Sequence, residues 1–218
     1  MHVAVLGTGM VGRTLGTRLV GLGHRVTMGS RRAGNEHAVA WAAAAGAQAG
    51  EGTFAGAAAP ADLVVNATAG TASIDALSAA GAGYLAGKVL VDVANPLDFS
   101  AGMPPTLATC NTDSLGEQIQ RAFPDTRVVK TLNTVNCDVM VDPSVVPGSH
   151  TMFLAGNDTA AKQDVRALLE SFGWPADDLV DLGDIGAARG MEMYLPLWLR
   201  LWQATGTGHL NVKLVREP

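Results

Sequence analysis

A chain of 218 residues is long enough for one sizeable hydrophobic core, or for one domain with a small appended lobe. Its net charge of −5 argues against a general nucleic-acid partner. No apolar run reaches the length of a membrane span, and two cysteines make no disulfide framework. No basic segment with an apolar stretch behind it precedes the first predicted strand. The sequence therefore predicts a cytoplasmic protein that binds neither nucleic acid nor membrane.

Charge is distributed unevenly along the chain. The first 35 residues contain five arginines and no acidic residue, so they carry +5 while the remainder carries −10. This asymmetry favours an N-terminal site for an anionic ligand.

The N-terminal segment combines an apolar run, a glycine-rich turn and an amphipathic pattern, in that order. Residues 3–6 predict a first strand, and Gly7, Gly9 and Gly12 form a GxGxxG motif directly after it. A helix is expected over 10–22, because apolar residues recur there at helical spacing. The first glycine permits a sharp turn, the second lets a pyrophosphate approach the backbone, and the third allows close packing of the helix. The pattern predicts a dinucleotide site whose phosphates face free N–H groups at the helix start.

The second strand, expected over residues 25–29, ends where the choice between nicotinamide cofactors is made. An NAD-binding protein places Asp or Glu there to hold the ribose 2′-hydroxyl. This chain instead has Ser30, Arg31 and Arg32, with no carboxylate nearby. A hydroxyl and guanidinium groups suit a 2′-phosphate, which arginine can bind through two parallel hydrogen bonds. The sequence therefore predicts NADP(H) rather than NAD(H), with a solvated basic turn as the alternative.

Strands alternate with helices along the following part of the chain. The expected elements are strands over 62–66, 88–93 and 127–132, and helices over 36–46, 73–80 and 114–123. The segments 46–60 and 99–112 are expected to be mainly loops, the second of which could lie over a site. This alternation is typical of an α/β fold with a Rossmann-type, doubly wound parallel sheet.

Three of these strands end in loops of small or polar residues, at the sheet edge where open α/β sheets bind ligands. The candidate cofactor contacts in these loops are Thr68, Ala69, Ala94, Asn95, Asn133 and Thr134. Small residues would let the cofactor pass, and either asparagine could bond the nicotinamide carboxamide or its ribose. Capping of loop backbone groups is the alternative role for both asparagines.

The sequence pattern changes near residue 145. We expect residues 1–145 to form the NADP-binding Rossmann domain and residues 146–218 to form a small C-terminal α/β lobe that contributes a cofactor cover and a dimer contact. The expected elements of the lobe are strands over 152–155 and 179–182, and helices over 159–172 and 185–204. The last helix is apolar on nearly every side, and Pro196 predicts a kink in it. Its burial requires a subunit interface or a cofactor cover, and a homodimer is favoured.

No constellation for proton transfer stands out. The sequence lacks a Ser-His-Asp arrangement, an HExxH metal motif and a Tyr-Lys pair at helical spacing. His209 could lie beside a second substrate, and Lys130 could act as a general acid from a strand end. Glu192 is expected to pair with Arg189 or Arg200 in a structural role. No catalytic residue is therefore assigned, and no metal is expected.

The chain resembles the coenzyme F420-dependent NADP oxidoreductase family in its N-terminal GTGMVGRTLGTRLVGLGHRVTMGSRR, its central VVKTLNTV and its closing GTGHLNVKLV. The similarity runs over essentially the whole chain. The central segment is also similar to the NADPH-binding domains of membrane metalloreductases. The resemblance implies contacts with the phosphates and the 2′-phosphate ribose from Thr8, Gly9, Met10, Val11, Ser30 and Arg31.

The function implied by the resemblance is direct hydride transfer between NADP(H) and a deazaflavin, coenzyme F420. Such a reaction needs no strong acid or base from the protein, because two redox cofactors supply the chemistry and the protein aligns them. One alternative is an NADPH reductase acting on a flavin, a metal chelate or a small carbonyl or imine. That enzyme would need a proton donor among Lys130, His209 and Tyr194. Another alternative is a non-catalytic NADP(H)-binding module.

Overall fold

The structure is a computed structural model that describes residues 1–217, and its strands assemble mainly into one sheet. The strands are β1 (His2–Leu6), β2 (Arg25–Ser30), β3 (Ala49–Thr53), β4 (Leu63–Asn66), β5 (Val89–Asp92), β6 (Leu97–Asp98), β7 (Thr106–Leu107), β8 (Arg127–Thr131), β9 (Met152–Gly156) and β10 (Leu179–Asp181). β6 and β7 pair separately as a short antiparallel ribbon.

Helices connect most of these strands. They are α1 (Met10–Gly21), α2 (Glu36–Ala45), α3 (Phe54–Ala58), α4 (Ser73–Ala80), α5 (Ala82–Leu85), α6 (Leu115–Ala122), α7 (Cys137–Val141), α8 (Thr159–Phe172), α9 (Ala188–Met193) and α10 (Leu195–Thr205). Within residues 1–217, none of the helices combines the length and the apolar character that crossing a membrane requires. The segment 46–60, expected to be mainly loop, contains β3 and α3 instead.

The main sheet has the strand order β10-β9-β8-β5-β4-β1-β2-β3. The chain winds outward from β1 through β2 to β3, and β4 then pairs with the other side of β1. Winding therefore reverses between β1 and β4, and open α/β sheets bind ligands in the crevice at such a point. The pairing of Leu6 with Asn66, and of Asn66 with Asp92, brings the carboxyl ends of three strands level there. The predicted Rossmann-type fold is confirmed.

One strand pair departs from the predicted parallel arrangement. β9 runs antiparallel to β8, with Lys130 opposite Ala155, whereas every other pair in the main sheet is parallel. A parallel pair needs a crossover that carries the chain back to the other end of the sheet. The connection between β8 and β9 contains only the five-residue helix α7 and a short 3-10 turn, so the chain re-enters from the same end. Because β9 and β10 extend the same sheet, the division at residue 145 stays a prediction.

The sheet is buried on both faces, and alternate residues of each strand face opposite cores. Val3 and Val5 belong to one core, together with Leu15 and Leu19 of α1. Ala4 and Leu6 belong to the other core, which α3, α4 and α6 cover. This two-sided burial explains why the central strands read as nearly continuous apolar runs.

The apolar segment near the C-terminus forms two helices rather than one kinked helix. α9 ends at Met193, and Pro196 lies in the first turn of α10, where its missing N–H costs no helical hydrogen bond. The expectation of a single helix over 185–204 was therefore wrong. Met193, Leu197 and Trp202 are 42%, 55% and 40% exposed, so the apolar surface of this segment is only partly covered. The homodimer stays a prediction.

Candidate functional site

The glycine turn after β1 has the shape that a dinucleotide phosphate site requires. Gly7 has φ of +120°, and a Cβ there would lie 2.4 Å from the carbonyl oxygen of Ala67. A Cβ on Gly12 would lie 2.2 Å from the carbonyl oxygen of Gly7. A Cβ on Gly9, in contrast, would meet no protein atom within 4 Å. Two glycines are therefore required by the packing of the turn, whereas Gly9 borders open space.

The start of α1 is free for an anion. Gly9 occupies its N-cap position, no side chain caps the helix, and its first turn contains no acidic residue. The unpaired N–H groups and the positive end of the helix dipole therefore remain available to a ligand. Met10 and Val11 line the adjoining cleft, and Thr8 is half-buried in the turn.

The basic turn after β2 lies beside the phosphate turn, because Leu6 at the end of β1 pairs with Gly29 of β2. Ser30 is 5% exposed, and its hydroxyl donates a hydrogen bond to the carbonyl oxygen of Arg32. Arg31 and Arg32 are exposed, and neither forms an ion pair with any residue in 1–217. Two guanidinium groups thus stand at the adenosine end of the predicted site without an ion pair of their own among residues 1–217.

A hydrogen-bonded hub shapes the loop after β4. The buried Asn66 donates to Ser73 Oγ at 3.0 Å and to Asp92 Oδ1 at 2.8 Å, and its Oδ1 accepts from Thr68 Oγ1 at 2.7 Å. A Cβ on Gly70 would lie 2.0 Å from the carbonyl oxygen of Asn95, so this loop presses directly against the loop after β5. Thr68 and Ala69 line the cleft beside it.

The two candidate asparagines bind each other across the ends of β5 and β8. Asn95 Nδ2 donates to the carbonyl oxygen of Asn133 at 2.8 Å, and Asn133 Nδ2 donates to Asn95 Oδ1 at 2.9 Å. Asn133 Nδ2 also reaches the carbonyl oxygen of Met191 at 3.1 Å. Asn133 Oδ1 is buried without a hydrogen-bond partner among residues 1–217. An unsatisfied buried acceptor is unfavourable and is suited to a donor from a ligand.

A cleft of about 700 Å³ lies between the strand ends and the C-terminal helices. Phe99 and the tryptophans 198 and 202 of α10 are among its aromatic lining, and the two indole rings lie 5.8 Å apart. The candidate residues Ala94, Asn95 and Asn133 also line it, whereas Thr134 is buried outside the lining.

Sequence reasoning did not select Phe99, Trp198 or Trp202 as site residues. The sequence indicated only the segments that contain them, the loop over 99–112 as a cover of a site and the last helix as a cofactor cover or subunit contact. The i, i+4 spacing of the two tryptophans is explained equally well by core packing.

The C-terminal segment returns to the mouth of the cleft after α10. Gly206 to His209 line the cleft, and His209 Nε2 lies 2.9 Å from Asp138 Oδ2. Further along, Thr151 N donates to the carbonyl oxygen of Val212 at 2.8 Å. The structure thus brings His209 to the cleft, and its position beside a second substrate stays a prediction.

Two sequence expectations about charged residues were wrong. Lys130 is fully buried, and its Nζ lies 2.9 Å from Asp92 Oδ2 and 2.8 Å from Glu192 Oε1. Burial alone would lower the pKa of Lys130, but the two carboxylates raise it above its ordinary value. A cation enclosed in this way cannot reach a substrate to donate a proton. Glu192 therefore pairs with Lys130 and not with an arginine, while Arg189 binds Glu117.

Two further titratable groups near the cleft are neutral at ordinary pH. Burial raises the pKa of the Cys137 thiol, which lines the cleft at the start of α7. Burial likewise raises the pKa of Tyr194, whose hydroxyl has no hydrogen-bond partner among residues 1–217. Neither group has the lowered pKa of an activated nucleophile.

An uncapped helix behind a glycine turn, a cleft at the reversal of strand order and unpaired arginines after β2 are the features of the Rossmann-type class of dinucleotide-binding folds. A family model described as NADP oxidoreductase, coenzyme F420-dependent, matches residues 2–96. A crystal structure from Arthrobacter sp. FB24, provisionally assigned as an F420-dependent NADP-reductase, is 55% identical, with a TM-score of 0.93. The alignment covers 98% of this chain and 99% of that one. The chain therefore belongs to the F420-dependent NADP oxidoreductase family.

More distant relatives are described as other kinds of reductase. Metalloreductase STEAP3 of Rattus norvegicus is 29% identical over 200 residues, which are 90% of this chain but only 37% of the relative. The chain thus spans little more than a third of that metalloreductase. An imine reductase from Myxococcus stipitatus, solved with NADP+, is 18% identical with a TM-score of 0.62, covering 94% of this chain and 63% of its own. At that identity the likeness concerns the fold alone.

Proposed function

We propose that this protein transfers hydride directly between NADP(H) and the deazaflavin coenzyme F420. The observation that carries the proposal is the cleft of about 700 Å³, which adjoins the glycine turn and has aromatic rings in its walls. A planar redox ring stacks favourably on aromatic side chains. Family membership and the name of the Arthrobacter relative support the same partner.

The residues at the glycine turn fit the phosphates of NADP(H). Gly9 leaves open space where a pyrophosphate would approach, and α1 begins without a capping side chain or an acidic residue. Backbone N–H groups at the helix start would then donate to phosphate oxygens.

The turn after β2 fits the additional 2′-phosphate. The guanidinium groups of Arg31 and Arg32 have no ion-pair partner in the described chain, so binding a doubly anionic group would break no existing ion pair. The Ser30 hydroxyl donates its proton to a backbone carbonyl, but its oxygen can still accept a hydrogen bond. These groups favour NADP(H) over NAD(H).

The loops after β5 and β8 fit the nicotinamide end. The unsatisfied Oδ1 of Asn133 suits the amide N–H of a carboxamide, while Asn95 holds the Asn133 side chain in place. NADPH held there would supply a hydride from C4 of its nicotinamide ring, and a proton from solvent would complete the reduction of the acceptor. In this proposal Trp198, Trp202 and Phe99 align the acceptor ring and exclude water.

A reductase of a small carbonyl or imine is the second candidate, and one observation favours it. His209 lines the cleft, and its Nε2 lies 2.9 Å from Asp138 Oδ2, so the ring is held at the cleft wall. That geometry could deliver a proton, whereas Lys130 is enclosed by carboxylates and cannot. A nucleotide-binding module without turnover is the remaining possibility.

Stopped-flow mixing of the protein, NADPH and oxidised F420 tests the proposal through the absorbance of the deazaflavin. We expect rapid bleaching that depends on protein concentration. Absence of bleaching beyond the protein-free control would contradict the proposed function. Parallel mixing with a flavin, a ferric chelate and a cyclic imine then separates the second candidate from a non-catalytic module.

A pair of aromatic substitutions adds a structural control. Trp198→Leu should slow deazaflavin reduction at least tenfold, because it removes one wall of the stacking platform. Tyr84→Leu removes an aromatic ring that is 50% exposed on α5 and does not line the cleft, so it should leave the rate unchanged. Equal rates in both variants would argue against stacking at α10.

A further inference from the structure

Three charged side chains are enclosed together behind the cleft. Lys130 of β8 lies between Asp92, the last residue of β5, and Glu192 of α9, at 2.9 Å and 2.8 Å. The side chains of all three are at most 1% exposed. The third N–H of the ammonium group donates to the carbonyl oxygen of Ala94. Every donor of Lys130 is thus occupied within the protein.

Both carboxylates are also fully engaged by further donors. Asp92 Oδ1 accepts from Asn66 Nδ2 at 2.8 Å and from the N–H of Ala94 at 3.2 Å. Glu192 accepts from the first two N–H groups of α6, those of Leu115 at 2.8 Å and Gly116 at 3.0 Å. The positive end of α6 therefore compensates the second negative charge.

The cluster connects opposite walls of the cleft. On one side Lys130 donates a hydrogen bond to the carbonyl oxygen of Ala94, whose loop lines the cleft together with Asn95. On the other side Glu192 follows Met191, whose carbonyl oxygen binds Asn133, and α9 leads directly into α10 with its tryptophans. Lys130 therefore links these two parts through its own contacts, beside the hydrogen bond from Asn133 to Met191.

Such a cluster often stabilises a protein core less effectively than apolar packing does. Apolar residues of similar volume are often as stabilising as a buried ion pair, or more so, because desolvation of the charges offsets their attraction. The best-attested benefit of buried ionic groups is a single fixed arrangement of the elements they join. Here the elements joined are the two walls that would hold the two reacting rings.

We propose that Lys130, together with Asp92 and Glu192, is a positioning device that fixes the separation of the cofactor loops from α10 and thereby the distance between hydride donor and acceptor. The predicted loss of rate rests on the proposed function, whereas the predicted effect of the cluster on the separation of the walls does not. A displacement of about 1 Å at a reacting centre can cost roughly a hundredfold in rate.

Glu192→Gln tests the device, because it weakens the link to Lys130 without changing the side-chain shape. We expect NADPH affinity to stay within about threefold of the parent, since the phosphate turn is untouched. The single-turnover rate of deazaflavin reduction at saturating NADPH should fall at least tenfold. Arg189→Gln is the matched control, because it breaks another contact between α9 and α6, to Glu117, that does not involve Lys130.

A second readout works without any acceptor. Energy transfer from the tryptophans to bound NADPH reports the separation of α10 from the cofactor, once the signal of a Trp198→Phe/Trp202→Phe variant is subtracted. Glu192→Gln should change this transfer, and Arg189→Gln should not. If the parent fails to reduce F420, the proposed function fails, while this measurement still tests the positioning device.

A charge-neutral variant keeps the inference testable if Glu192→Gln does not fold. Replacing Asp92→Asn, Lys130→Met and Glu192→Gln together leaves no buried charge unpaired, so this protein should fold. It should show the same changed energy transfer and slowed reduction. Unchanged rate and energy transfer in a folded variant, or an equal loss in Arg189→Gln, would overturn the inference.

Discussion

Replacing Gly9 by alanine separates the demands of the fold from those of the bound cofactor. The φ and ψ angles of Gly9 are −73° and −177°, a region open to alanine, and its Cβ would meet no protein atom within 4 Å. The substitution should therefore lower the free energy of unfolding by less than about 1 kcal/mol, the difference between glycine and alanine at an N-cap. The same methyl group would occupy the space that the proposed function assigns to the pyrophosphate.

The expected loss of affinity follows from the hydrogen bonds at that approach. Displacing a phosphate from one backbone N–H loses a charge-assisted hydrogen bond, worth roughly 1.5–3 kcal/mol. NADPH affinity should therefore fall roughly 10- to 100-fold. Isothermal titration calorimetry measures the affinity, and urea unfolding measures the stability of the same preparation.

Two other glycines of the same helix serve as controls. Gly12→Ala would place a Cβ 2.2 Å from the carbonyl oxygen of Gly7, so it should destabilise the apo protein by about 1–3 kcal/mol. Gly21→Ala, in the last turn of α1, meets open space and should stabilise the protein slightly without changing NADPH affinity. The reasoning is refuted if Gly9→Ala binds NADPH as tightly as the parent, or if Gly9→Ala and Gly12→Ala are equally destabilised.

Three further predictions concern charge, stacking and pH. Arg31→Glu should weaken NADPH binding at least tenfold while changing NADH binding little, and equal effects in titrations of both nucleotides would argue against a 2′-phosphate contact. Trp202→Leu should lower kcat with F420 more than it lowers NADPH affinity, and the opposite split would argue against a role at the acceptor. The Arg121 guanidinium holds the pKa of Asp113 at about 2, below its ordinary value of 3.8. Because the pKa is lowered in the folded state, the stability this carboxylate contributes is present above about pH 4 and lost as pH falls towards 2. The stability difference between the parent and Asp113→Asn in urea should therefore shrink over that range, and a constant difference would contradict this assignment.

Much of the fold was predictable because its signals are local. α4 and α8 occupy the predicted residues 73–80 and 159–172, and the predicted helix over 114–123 begins where Ser114 Oγ accepts a hydrogen bond from the backbone N–H of Glu117. The segment 46–60 was harder to interpret. Its alanines and glycines carry no clear periodicity, and the sheet edge beside β2 determines that β3 forms there.

The candidate site was predictable only where spacing determines geometry. The glycine turn depends on contacts between residues a few positions apart and on one neighbouring loop, so the sequence could indicate it. The aromatic cleft depends on α10 returning to strand ends more than sixty residues earlier in the chain. Nothing in the local sequence distinguishes Trp198 from a core tryptophan, and the role of each predicted contact with NADP(H) stays a prediction.

Short-range order and the apolar pattern were determined by the amino-acid sequence itself: strand, turn and helix at the N-terminus, the alternation that follows, and the position of the basic turn after β2. Hydrophobic periodicity and glycine conformation act over a few residues, and this is why they can be read directly. The partners of Lys130 and Glu192 were decided only by tertiary structure. Strand order and the antiparallel entry of β9 bring Asp92, Lys130 and Glu192 together. Because a buried charge is unfavourable without a partner, each of them must be paired, but no local rule specifies which charges will meet.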